Sequence, residues 1–180
     1  RATASASPAT LHLPAEGVTE AGVIDQLDDP EHLELPPGYD LPAARRRFER
    51  LGAALTERFG PSVSAGMAQD TSYYGEVRVP APATGTDRPL WVLMSNFGPF
   101  VTAGTGRDLG VPGCAEGLDE PFVTWLDGVC ADLGCVYVPV GLLLEPYDGP
   151  TRLEDGEIPG AEPDDEELPL AWWDRYFQYM

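Results

Sequence analysis

The sequence predicts an α+β domain. It should have an antiparallel sheet of four or five strands, two main helices on one face and a short aromatic helix at the C-terminus. Three observations carry this expectation. Leu90 to Asn96 is a short, nearly all-apolar run between Asp87-Arg88-Pro89 and Gly104-Thr105-Gly106, so it reads as a strand buried on both faces. Strand-like segments follow one another on either side of it, as in a meander. Two capped helical patterns, starting at Asp40 and Asp119, frame them.

Residues 1–39 open with Ala, Ser, Thr and Pro and then turn acidic. Only Val23, Ile24 and Leu27 hint at a short amphipathic turn, and Pro30, Pro36, Pro37 and Gly38 break anything longer. An extended acidic arm is expected, lying through Leu33 and Leu35 on a single domain of residues 40–180. Asp40 is a good N-cap, with Pro42 in the first turn where a missing N–H is harmless. Ala44, Phe48, Leu51, Leu55 and Phe59 recur at three and four residues, one face of a helix that Gly60 and Pro61 stop. Arg45, Arg46, Arg47, Arg50 and Arg58 read as its solvated face, or as a patch for one of the chain's acidic tails.

Val63, Ala65 and Met67 alternate with small residues. From Ser72 to Val79, Tyr73, Gly75, Val77 and Val79 share one face and Tyr74, Glu76 and Arg78 the other. One ring of the Tyr73-Tyr74 pair should therefore face solvent. Pro80 to Pro89 reads as a hairpin loop. Phe97-Gly98-Pro99 breaks the central strand before Phe100 to Ala103. Asp119 caps the second helix, whose apolar face is Phe122, Trp125, Leu126, Val129, Cys130 and Leu133, and Gly134 ends it. Cys135 to Leu144 is expected as a further strand, closed by Pro146. Residues 148–169 form an acidic, Gly- and Pro-rich loop, long for a compact domain. The chain closes on Trp172-Trp173-Asp174-Arg175-Tyr176-Phe177-Gln178-Tyr179. Five rings in eight residues cannot all point inward from one short helix. Either the segment caps the core, or Trp172, Trp173 and Tyr176 include interface anchors, a common role for Trp and Tyr.

Net charge is −19. Residues 1–40 contribute −7, 41–144 contribute −3 and 145–180 contribute −9, so the two ends are anionic and the middle is nearly balanced. Phosphate backbones and anionic membranes are disfavoured partners. The plausible charged partners are basic proteins or metal cations, unless the acidic ends serve only to keep the protein soluble. No stretch is long and apolar enough to span a bilayer, and the opening residues lack the pattern of a signal peptide. A cytoplasmic location is expected. All basic residues are Arg, which excludes Lys-dependent chemistry. Cys114, Cys130 and Cys135 read as buried free thiols.

Catalytic chemistry is hard to assemble. The only histidines, His12 and His32, lie in the arm, so a Ser-His-Asp or Cys-His arrangement would need it to fold back. Three unhelpfully spaced cysteines do not make a zinc site. Gly104 to Gly110 misplaces the third glycine of a dinucleotide fingerprint, and no parallel β-α-β unit is expected around it. Asp70 and Glu76 are the first suspects for a carboxylate acid/base pair. The 154–167 acidic run lacks the spacing of an EF-hand loop and reads as a linker. No metal or cofactor is expected.

The acidic single domain, the helix–meander–helix–strand order and the Trp-Trp-Asp-Arg-Tyr-Phe close resemble the small immunity proteins of bacterial toxin–immunity systems. The resemblance covers residues 40–180. It implies a non-catalytic inhibitor that neutralises a cognate basic toxin or enzyme by occluding its cationic surface. Tyr73, Tyr74, Glu76, Asp155, Glu157, Asp164, Asp165, Trp172, Trp173 and Tyr176 are then the candidate partner-binding residues. The alternatives are a small chaperone or adaptor for a secreted or phage-encoded protein, and a carboxylate-dependent enzyme.

Overall fold

The structure, a computed structural model, describes residues 20–31, 38–68, 73–151 and 169–178. Helix α1 spans Glu20–Gln26 and α2 spans Leu41–Phe59. The Asp40 carboxylate accepts the Ala43 N–H at 3.0 Å, and Gly60 donates to the Thr56 carbonyl at 2.8 Å. Both ends of α2 are therefore satisfied as its sequence predicts. Strands β1 (Ser64–Met67), β2 (Tyr73–Val79), β3 (Leu90–Ser95) and β4 (Phe100–Thr105) form an antiparallel meander. A helical turn, α3 (Ala81–Thr84), occupies part of the expected loop between β2 and β3. Helix α4 runs Glu120–Leu133, capped by Asp119 on the Phe122 N–H at 2.7 Å and stopped by Gly134 in the left-handed region.

The expected strand over Cys135 to Leu144 is a correction. Only Val136–Tyr137 is a strand, β5, and it pairs in parallel with β4. Pro139 then starts a helical turn, α5 (Val140–Leu143). Helix α4 carries the chain back across the sheet, so β5 runs in the direction of β4. A parallel β-α-β unit therefore exists where none was expected. Its glycine-rich connection is nevertheless fourteen residues from β4 to α4, so the glycines do not open the helix. The sheet is mixed, five-stranded, in the order β1-β2-β3-β4-β5.

Both faces of the sheet are covered. Phe48, Leu51 and Leu55 of α2 and Phe122, Leu126 and Cys130 of α4 pack on Val77, Val79, Val92, Met94, Val101 and Ala103. The two main helices thus share one face, as expected. The opposite face presents Trp91, Leu93 and Phe100 to Val23 and Ile24 of α1, Val140 and Leu143 of α5, and Trp172, Trp173, Tyr176 and Phe177. All six residues of β3 are buried, which explains its lack of polar alternation. Six large rings lie in this second core. Their burial contributes on the order of 10 kcal/mol, comparable to the whole net stability of a domain, so this layer is structural.

Residues 20–31 therefore belong to the domain, a correction to the extended arm. Val23 and Ile24 are 5% and 1% exposed. Val23, Ile24 and Leu27 hinted at a short amphipathic turn, but that is too little periodicity to show a helix docked on the core, whose stability comes from what it packs on.

Candidate functional site

The C-terminal segment is a helical start at Trp172-Trp173 that widens into a π-helical turn over Asp174–Gln178. Widening the turn moves successive side chains off a single stripe, and the rings find cover on several sides. Trp172 stacks edge-on against Tyr147 at 4.6 Å, Trp173 against Trp91 at 6.2 Å and Tyr176 against Phe100 at 4.7 Å. Trp172, Trp173 and Tyr176 are 5%, 7% and 4% exposed. Of the two readings of this segment the structure places these rings in the core, so they are not exposed anchors.

Beside those rings lies a polar knot that joins the two ends of the chain. Asp28 follows α1 with its carboxylate fully buried. It accepts from Arg175 Nε at 2.7 Å, from Thr151 Oγ1 at 2.5 Å and from the Tyr147 hydroxyl. Tyr176 donates to the Ile24 carbonyl at 2.7 Å. Burial, then the hydrogen bond to Asp28, pushes the Tyr147 hydroxyl up to about 12, and burial raises Tyr176 further. Asp28 is thus satisfied by one charge and two hydroxyls, the condition for burying a carboxylate.

This knot brings together the two anionic ends of the sequence. Asp25 and Glu31 on one side and Glu145 and Asp148 on the other are exposed, with Asp29 and Asp174 half-buried. Among the described residues of these two ends, Arg175 is the only base, and Asp28 occupies it. Among the described residues of the two ends, the exposed charge is therefore all negative.

Tyr73 opens β2 opposite Ser95. The pairing shifts between Tyr73 and Gly75, a bulge that leaves Tyr74 without a partner on β3. Tyr74 consequently shares the α2 side with Gly75 and packs edge-on against Phe48 at 5.7 Å. The expected alternation placed it on the other face. Glu76 is half-buried and ion-paired with Arg78. Asp70, Asp155, Glu157, Asp164 and Asp165 lie outside the described residues, as do His12 and His32.

No protein-family model, curated protein or solved structure matches the chain.

Shallow depressions mark the surface of the described residues. One, of about 280 Å³, follows β1 from Ser64 to Ala68 and reaches Glu76 and Arg78. Another, of about 370 Å³, lies in the glycine-rich connection between Arg88, Arg107 and Glu116. Arg88 there donates to the Glu116 carbonyl at 3.1 Å, which ties the loop to the start of β3, and the Thr105 hydroxyl donates to the same carbonyl at 2.5 Å from the end of β4. Cys114, Cys130 and Cys135 are free and buried, and burial raises all three, Cys135 to about 11, so none is a thiolate nucleophile near neutral pH. Among the described residues no group of three or more His, Cys, Asp or Glu could hold a metal, and no helix is long and apolar enough to cross a membrane.

The sequence signals neither the exposed β1 edge nor Asp28 as the link between the ends. The small residues of Ser64 to Met67 carry no chemical signature. Asp28 is one acid among thirty.

Proposed function

We propose that the protein is a non-catalytic, protein-binding inhibitor. In this reading it is an immunity-type protein that neutralises a basic toxin or enzyme by covering its cationic surface. The observation that supports it is the junction of the two acidic ends around the satisfied Asp28–Arg175 pair. That pair holds Asp25, Glu31, Glu145 and Asp148 on linked elements with no exposed base among the described residues of either end. Such a surface attracts a cationic protein from a distance and speeds its association.

The test is affinity capture from the source cell's extract at low and high salt. The wild-type chain is compared with a variant carrying Asp25→Asn, Glu31→Gln, Glu145→Gln and Asp148→Asn. One stoichiometric basic protein, released by salt and lost by the variant, supports inhibition. It also supplies the activity to assay with and without the protein. A set of partners retained at high salt and by the variant would replace this reading with a chaperone or adaptor.

A further inference from the structure

We propose that β1 is the edge on which the basic partner adds a strand, and that the added segment carries one Arg or Lys beside Gly66 with apolar residues on either side of it. This rests on the reading of the chain as a binder of basic proteins.

The directions of the backbone groups follow from the pairing. Ala68 donates its N–H to the Tyr74 carbonyl at 3.2 Å, and Gly66 and Ser64 face Glu76 and Arg78 at alternate positions along the same ladder. Ser64 and Gly66 therefore turn their N–H and C=O groups to β2, and Ala65 and Met67 turn theirs outward. All four residues are exposed, Met67 to 57%. Natural edges are guarded by charge, proline or a bulge. Ser-Ala-Gly-Met contains none of these.

The side chains select the occupant. Gly66 lies opposite Glu76, and nothing stands within 4 Å of where a Cβ on Gly66 would be. Neighbouring strands are about 4.8 Å apart, so a long cationic side chain beside Gly66 crosses the glycine to the Glu76 carboxylate and shares that acid with Arg78, its ion-pair partner within β2. One pair away, Ser64 lies opposite Arg78, which repels a cation at that position. On the other face Ala65 and Met67 offer apolar contact to the alternate residues. A second copy of the chain is a poor occupant. Its β1 has no cation for Glu76, and two chains of net charge −19 repel each other.

The test titrates the labelled full chain with a capped peptide, Thr-Val-Arg-Val-Thr, and with its counterpart carrying Glu in place of Arg, following backbone amide shifts by NMR. Shifts confined to residues 63–68 and 76–78 are expected, with the Arg peptide at least about tenfold tighter. Met67→Pro removes an outward donor, and Gly66→Arg lays the chain's own cation towards Glu76. Each should weaken the Arg peptide about tenfold or more. If Met67→Pro lowers the melting temperature, Gly66→Arg decides. Equal affinity for the two peptides, shifts elsewhere, or unchanged binding by Gly66→Arg overturns the assignment. So does a concentration-dependent shift of the same amides without peptide, which would mean a second copy. If the peptide fails while the captured basic protein is still lost on neutralising the acidic junction, only the edge assignment falls. If the junction variant also keeps its partner, the broader reading falls with it.

Discussion

Arg175 Nε lies 2.7 Å from Asp28 Oδ1, with the two side chains 8% and 0% exposed, so one buried ion pair closes the chain's last described turn onto its first described helix. Removing one partner leaves a buried charge uncompensated. Asp28→Ala should destabilise the protein by about 3–5 kcal/mol in urea or guanidinium titration. A loss below about 1 kcal/mol would mean that the carboxylate is not holding the ends together.

Removing α1 should have a similar consequence. Deleting residues 1–31 takes away Val23, Ile24 and Asp28 and uncovers part of the second core. The expected result is a lower, broader melt by circular dichroism. Deleting residues 1–19 leaves α1 in place, and a melt close to wild type is expected. Equal damage from both deletions would show that α1 is not what matters.

Trp172 and Trp173 are core side chains here, so Trp173→Ala should cost about 3–5 kcal/mol of stability. An interface ring would instead leave stability unchanged and weaken partner binding. Thermal melts of the isolated variant separate the two outcomes.

Thr102 is fully buried in the middle of β4, and its hydroxyl has no hydrogen-bond partner among the described residues. An unpaired buried hydroxyl is unfavourable, so Thr102→Val should stabilise the protein by about 1–2 kcal/mol. A destabilised variant would reveal a partner for Oγ1.

Gly75 and Phe48 are another coupled pair. A Cβ on Gly75 would stand 2.5 Å from the Phe48 ring. Gly75→Ala should cost about 1–3 kcal/mol by overpacking. Phe48→Leu, combined with it, should return part of that loss, and strict additivity of the two changes would argue against the contact.

Tyr147 gives a pH prediction with a definite sign. Its folded pKa is raised to about 12, above the ordinary value of 10.0, so folding favours the protonated phenol. The corresponding stability is fully present below about pH 10 and is lost as pH rises through about 12. Tyr147→Phe should be less stable near neutral pH and should lose less stability across that alkaline window. Parallel losses in both proteins would show that Tyr147 does not titrate there.

Helix α2 was legible in full because its signals are local: Asp40 at one end, Gly60 at the other, and Phe48, Leu51 and Leu55 between them. Helix α4 and strand β3 were legible for the same reason. The Tyr74 face was not, because a bulge is set by how two strands pair, and neither strand alone encodes it. Residues 136–144 misled because a short apolar run fits a strand and a buried helical turn equally well. That β1 is an exposed edge was not legible, because it depends on which strand comes last in the sheet.

By itself the sequence determined the α+β class, the caps and apolar faces of the two main helices, the doubly buried central strand and the concentration of negative charge at the ends. Those follow from periodicity, turn chemistry and charge, all readable over a few residues. Only the tertiary structure decided that β5 runs parallel to β4, that Trp172, Trp173 and Tyr176 face inward, and that Asp28 meets Arg175. Each depends on which distant segments share a face of the sheet, and burial and ion pairing act between neighbours in space, here 147 residues apart along the chain.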